Sequence, residues 1–335
     1  MMKKLFSTPL ILVVYAVMHI SCSEKAVIKP VSLRCENMKD PGAVDITNPR
    51  LSWINTCESG IRGAAQTAYE INIASSRKML RSGEADLWKS GKTQTSQSFN
   101  IRYKGKELKT GQDCWWQVRV WDNKGKCSEW SEPAYWGMGI MNENEWKAQW
   151  IGAPWQGEEP LPTPPYPKGV NQSVSPFKTP TGNIPPNAPL LRKSFTISKK
   201  IIRSKVFISG LGFFELQING KKVSDDVLVP NTTLYGKRDD IGSIGVMTGN
   251  NFREYRVMYL VYDITELLQQ GENVAGIILG NGFYNPASFW TTGYGSPRVI
   301  CQIRNEYSDG TEEIVASDTS WKVARSPILM DLVYD

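Results

Sequence analysis

The chain has 335 residues and a formal net charge of +6, with its basic residues spread thinly and never in a run of five, so nucleic acid is not an expected partner. The only histidine is His19. That excludes Ser-His-Asp and Cys-His nucleophile systems and His-ligated zinc from everything that follows it.

The chain opens Met-Met-Lys-Lys and runs through an apolar stretch from Leu5 to Met18 to His19-Ile20-Ser21-Cys22. A basic start and a short apolar core predict an export signal over residues 1–22. The apolar run falls short of the roughly 20 residues that a membrane-spanning helix needs. Ser21-Cys22 resembles the end of a bacterial lipobox, although His19 stands where that pattern normally carries Leu. Lipidation of Cys22 is expected, with the protein held in the cell envelope, at the outer membrane or the cell surface. The alternative is an ordinary secreted or periplasmic protein. Membrane contact is expected only through the lipid. Export permits disulfides, but five further cysteines (35, 57, 114, 127 and 301) cannot all pair internally. A Cys35–Cys57 bridge stays open.

Residues 27–141 carry short alternating segments separated by turn signals. Arg50-Leu51-Ser52-Trp53, Tyr69 to Ile73, Ser98 to Tyr103 and Cys114 to Trp121 read as strands, and Trp88-Lys89-Ser90-Gly91-Lys92 ends a short one at its glycine. In the last of these, Trp116, Val118 and Val120 share one face. The turn Asp122-Asn123-Lys124-Gly125 follows, then Ser128-Glu129-Trp130-Ser131 as another strand. Register about that turn sets Cys127 near Trp121, not near Cys114. About seven short strands in this space predict an immunoglobulin-like sandwich.

Residues 142–189 form a connector with prolines at 162, 164, 165, 167, 185, 186 and 189. Such a stretch builds no continuous helix or central strand, and a partly ordered connector is expected. Strands resume over 190–335. Val206 and Ile208 alternate, and Phe214, Leu216 and Ile218 share a face. Asn219-Gly220 predicts a tight hairpin turn, because both central positions of a type I′ turn need positive φ. Residues 263–268 predict a short capped helical turn. Val274 to Leu279 is nearly all apolar and is expected to be buried on both faces. Arg298 to Asn305 and Ile314 to Ala316 follow as strands, joined at Asp309-Gly310, and Trp321 falls in a last one. The fold class is all-β, with two β-sandwich domains in tandem.

Four segments, ISGLGFFELQING (208–220), VLVPNTTLY (227–235), YLVYDITELL (259–268) and GIILGNGFYNP (276–286), together resemble the N-terminal β-sandwich of bacterial α-L-rhamnosidases, glycoside hydrolase family 78. Trp53 and the Ser-x-Trp-Ser of 128–131 resemble a fibronectin type III domain, with which such enzymes often begin. The resemblance implies a first sandwich over 27–141 and a jelly-roll-like, carbohydrate-binding sandwich over 190–335. Residues 236–258 are longer than the link in many relatives. In the family an inverting hydrolysis of terminal α-L-rhamnosyl residues is carried out on a later (α/α)₆ barrel. No residue here matches its catalytic carboxylates, so the chain is expected to be the accessory region of an α-L-rhamnosidase, inactive by itself. A stand-alone, exported carbohydrate-binding lipoprotein is the alternative. Implied partners are rhamnose-containing glycans or glycosides and a downstream catalytic domain.

Sugar binding is the remaining chemistry. The two glycines of the loop 280–285 allow a tight path. In or beside that loop, Asn281, Tyr284 and Asn285 are candidate hydrogen-bonding groups and Trp290 a candidate stacking surface. Asp225, beside Asp226, belongs to a second polar cluster. Calcium is the one cofactor considered, because oxygen ligands suit it, and no metal ligand set is assigned.

Overall fold

The computed structural model describes residues 26–156, 187–233, 235, 257–285, 294–328 and 331. The first domain packs two antiparallel sheets. One joins β1 (Ile28–Cys35), β2 (Arg50–Cys57) and β6 (Ile101–Arg102). The other runs β4 (Trp88–Lys89), β3 (Gln66–Ala74), β7 (Asp113–Asp122), β8 (Ala134–Gly137), with β5 (Thr93–Gln94) paired to β3. Strict alternation along β7 buries Cys114, Trp116, Val118 and Val120 and turns Asp113, Trp115, Gln117, Arg119 and Trp121 outward. The inward set meets Leu51, Trp53, Ile71, Ile73 and Trp136 in one core. Truncating a fully buried Leu51 to Ala there would cost about 2–5 kcal/mol. Trp53 keeps its indole N–H satisfied by donating to Gln66 Oε1 at 3.1 Å.

Trp121 and Cys127 face each other across the turn, as expected. The segment after it is not a regular strand. Ser128 N donates to Val120 O (2.8 Å) while Ser128 Oγ accepts from Val120 N (3.0 Å). Ser131 repeats this on Val118 at 2.8 and 3.1 Å. Serine hydroxyls thus stand in for the ladder acceptors. Trp130 between them stacks on the Arg119 guanidinium (4.7 Å), which also meets Trp121 (5.3 Å).

The Cys35–Cys57 bridge is not formed. Cys35 pairs with Leu51 and Cys57 with Ile28, at opposite ends of the β1–β2 ladder. At about 3.3 Å per residue they lie roughly 20 Å apart, beyond the reach of a disulfide. All five described cysteines are free, and burial pushes the Cys301 thiol up to about 12.

The second domain stacks a four-stranded sheet on a five-stranded one, all antiparallel. The first runs β13 (Leu260–Asp263), β10 (Ile201–Leu211), β15 (Arg298–Tyr307), β16 (Glu312–Ala316). The second runs β12 (Lys221–Lys222), β11 (Phe213–Ile218), β14 (Gly271–Gly280), β9 (Pro189–Ile197), β17 (Lys322–Arg325). Asn219 (φ 52°) and Gly220 (φ 78°) make the predicted turn. Gly212 (φ 110°) lets the chain cross from one sheet to the other, since a side chain there would meet Gly280 O at 2.1 Å.

Burial on the two sheets differs from expectation in an informative way. β14 buries Ala275, Ile277 and Leu279 but leaves Val274, Gly276 and Ile278 half-buried. It has one covered face, not two. β10 is the strand covered on both sides. Val206 and Ile208 face the inner core, and Lys205 and Phe207 are buried against the first domain. Phe207 packs over Gly111, where an added side chain would touch it at 3.6 Å. Tyr259 OH accepts from Ile140 N at 2.8 Å, and Gln302 accepts from Lys147 N at 2.6 Å. The start of the connector continues this seam: Gln149 N donates to Ser317 O (2.7 Å), and Ile151 bridges Val299. The proline-rich remainder of the connector lies outside the described residues.

Candidate functional site

β14 ends at Gly280 and feeds the loop on which the sequence placed its sugar-binding residues. Asn281 and Asn285 are buried, at 1% and 2% exposure. Asn281 donates from its backbone N–H to Asp331 Oδ2 (2.9 Å) and from Nδ2 to Asp331 Oδ1 (2.8 Å). Its Oδ1 accepts from Asn285 Nδ2 at 2.9 Å. The amides are thus engaged inside the loop, where they fix its path. Gly282 (φ 52°) passes so close to Phe213 that a side chain would meet that ring at 2.9 Å.

With the asparagines turned in, the loop presents aromatic surface. Tyr284 stacks on Tyr294 (5.7 Å, 27°), and Tyr235 meets both edge-on at 5.2 and 5.4 Å. Tyr294 N donates to Tyr284 O at 2.9 Å. Phe283 sits edge-on to Phe213 at 6.0 Å. Phe283 and Tyr294 remain 40% and 41% exposed. Tyr235, Tyr294, Phe213 and Asp331 were not singled out from the sequence. Tyr235 closes the VLVPNTTLY motif, the one local signal that pointed to it. Trp290 and Cys22 lie outside the described residues.

Asp225 is exposed after β12, and its neighbour Asp226 accepts from Tyr262 OH at 2.8 Å. Among the described residues no three His, Cys, Asp or Glu side chains are grouped to hold a metal ion.

A charged cluster joins the two domains. Lys205 Nζ, on a residue 4% exposed, donates to Asp113 Oδ1 (2.5 Å), Gly111 O (3.0 Å) and Tyr135 OH (3.3 Å). Asp113 Oδ2 accepts from Arg203 (2.8 Å), which also pairs with Glu306 (2.5 Å). Burial pushes the Asp113 carboxyl up, but the Lys205 charge, hydrogen bonds from Lys205 and Tyr135, and Arg203 outweigh it and hold it below its usual range. Burial pushes the Lys205 ammonium down against the pull of Asp113. Glu36 is likewise lowered, because hydrogen bonds and charge from Arg50 overcome burial. A glycosidic general acid needs the opposite, a carboxyl raised to stay protonated.

These features define a class: a tandem of antiparallel sandwiches, fused along one sheet face, with an aromatic loop and charged groups spent on structure. The family follows from comparison. Residues 30–142 match the model described as the Rha78A-like, N-terminal immunoglobulin domain, and residues 199–335 match the α-L-rhamnosidase N-terminal domain. The chain carries the N-terminal region of the α-L-rhamnosidases, both domains in order. An α-L-rhamnosidase of Formosa agariphila is 34% identical over 346 residues, covering 99% of this chain and 33% of that protein. The structure of an α-L-rhamnosidase from Dictyoglumus thermophilum is 35% identical with a TM-score of 0.69, over 91% of this chain and 30% of that one. A Streptomyces avermitilis α-L-rhamnosidase, solved in complex with L-rhamnose, shares the fold at 22% identity and a TM-score of 0.69, over 90% of this chain and 41% of that one. The chain thus spans about a third of the length of the curated relative.

Proposed function

We propose that this chain serves as the non-catalytic accessory region of an enzyme that releases terminal α-L-rhamnosyl residues from glycans, and that it engages the rhamnosylated substrate. The observation that carries this reading is the ordered match of both domains to the same N-terminal region. Substrate contact is assigned to the aromatic wall of Phe283, Tyr284 and Tyr294, where a sugar's apolar face would stack. Asn281, Asn285 and Asp331 hold that wall in place. The basic start, the apolar run and Ser21-Cys22 support export and lipid attachment at Cys22, with membrane contact through the lipid alone.

Titrating the intact chain with L-rhamnose by calorimetry tests the assignment. Saturable binding is expected, weakened at least fivefold by Tyr294→Ala. Absence of saturable binding, or indifference to that substitution, would refute it. Attachment is checked by labelling cells with a fatty acid: the label is expected on the wild type and absent from Cys22→Ala.

A further inference from the structure

A cleft of about 540 Å³ opens at the junction of the two domains, above the Asp113–Lys205 pair. We propose that it is a second binding site, for a neutral sugar residue of a glycan. The proposal stands apart from the aromatic loop and does not require the rhamnosidase reading.

The size and the placement between domains suit a small ligand. The floor is closed. Lys205 has its three donors engaged, and Asp113 is neutralised by Lys205 and Arg203. Further groups stand around the rim. Trp115 lies two residues from Asp113 on the same outward face of β7 and stays half-buried, with the Tyr135 ring 5.1 Å from its own. The Arg77 guanidinium stands 5.6 Å from the Trp115 ring and makes no hydrogen bond or ion pair among the described residues. Asp40 commits Oδ1 to Tyr135 N (2.9 Å) and Asp263 commits Oδ1 to Thr265 N (2.9 Å). The second oxygen of each carboxylate has no partner among the described residues.

Charge and spacing then select the ligand. Asp40, Asp113 and Asp263 all line the cleft, yet no described trio of acids converges on a metal position. The acids are spread around something wider than an ion. The unneutralised groups are two carboxylates against one guanidinium, so a carboxylated sugar is repelled. A neutral ring finds acceptors in Asp40 and Asp263, a donor fork in Arg77 and an apolar face in Trp115. The walls come from both domains: Asp40, Arg77, Trp115 and Tyr135 from the first, Val261 and Asp263 from the second. Lys205 of the second domain and Asp113 of the first join these walls beneath the cleft.

The test titrates the intact chain with L-rhamnose, D-galactose, D-glucose, D-mannose and D-galacturonate, following tryptophan fluorescence and heat. At least one neutral sugar is expected to saturate, with affinity reduced tenfold or more by Trp115→Ala and by Asp263→Asn and unchanged by Tyr294→Ala. D-galacturonate is expected to bind at least tenfold more weakly than that sugar. Should Trp115→Ala unfold, Asp263→Asn decides, because an asparagine oxygen still accepts from Thr265 N. If no neutral sugar binds in a way that depends on Trp115 or Asp263, the proposal is overturned. Rhamnose binding lost only in Tyr294→Ala, with no other neutral sugar sensitive to Trp115→Ala or Asp263→Asn, would overturn the junction site and leave the loop assignment standing. Rhamnose binding lost only in the junction variants would overturn the loop assignment and leave the junction site standing.

Discussion

Lys205 and Asp113 show what single residues decide here. An ammonium buried to 4% exposure is tolerable only with its partners present. Asp113→Asn leaves that charge without its counter-ion and is expected to destabilise the protein by about 3–5 kcal/mol, read by urea unfolding. Lys205→Met keeps the volume and leaves Asp113 paired with Arg203, so a smaller loss is expected. The pH dependence has a definite sign. The folded-state pKa of Asp113 lies below its ordinary value, so its contribution is fully present above about pH 4 and is lost as pH falls through the folded-state pKa. The gap in melting temperature between wild type and Asp113→Asn should therefore narrow in acid. A gap that is constant from pH 7 to pH 2 would contradict the pairing. None of this was legible in the sequence. Lys205 stands in an apolar strand, and Asp113 lies 92 positions earlier in another domain. The loop gives the same lesson. Asn281 and Asn285 were visible as polar groups, but Asp331, which turns Asn281 inward, is 50 positions away.

At the scale of elements, local signals served where the cause is local. Asn219-Gly220 was readable because positive φ at two adjacent positions restricts the residue types. Gly220→Ala, at φ 78°, should cost about 1 kcal/mol, measured by thermal melt. Asn273, 1% exposed, ties this turn to the next. Its Oδ1 accepts from Gln269 N and Asn219 Nδ2, and its Nδ2 donates to Gln269 O and Gly271 O. Asn273→Ala leaves these groups unmet and should cost roughly 1–3 kcal/mol. Two elements misread by pattern have physical reasons. Ser128 to Ser131 looked like a strand because alternation cannot reveal that hydroxyls replace ladder acceptors. The apolar run in β14 suggested two covered faces, yet its outer positions include Gly276 and stay half-buried. Conversely, β10 reads as alternating until the first domain covers its second face.

For the molecule as a whole, the class and the order of its two sandwiches were plain from the sequence, because strand periodicity and family motifs both run along the chain. Their fusion was not, since it depends on contacts such as Ile140–Tyr259 and Lys147–Gln302 that span more than 100 positions. That seam sets the aromatic loop and the junction cleft on one framework. The most direct measurement exposes this chain alone to an aryl α-L-rhamnoside and records binding heat and aglycone release together. Saturable heat with no release above buffer is expected. Turnover by the isolated chain, or no saturable heat at all, would contradict it.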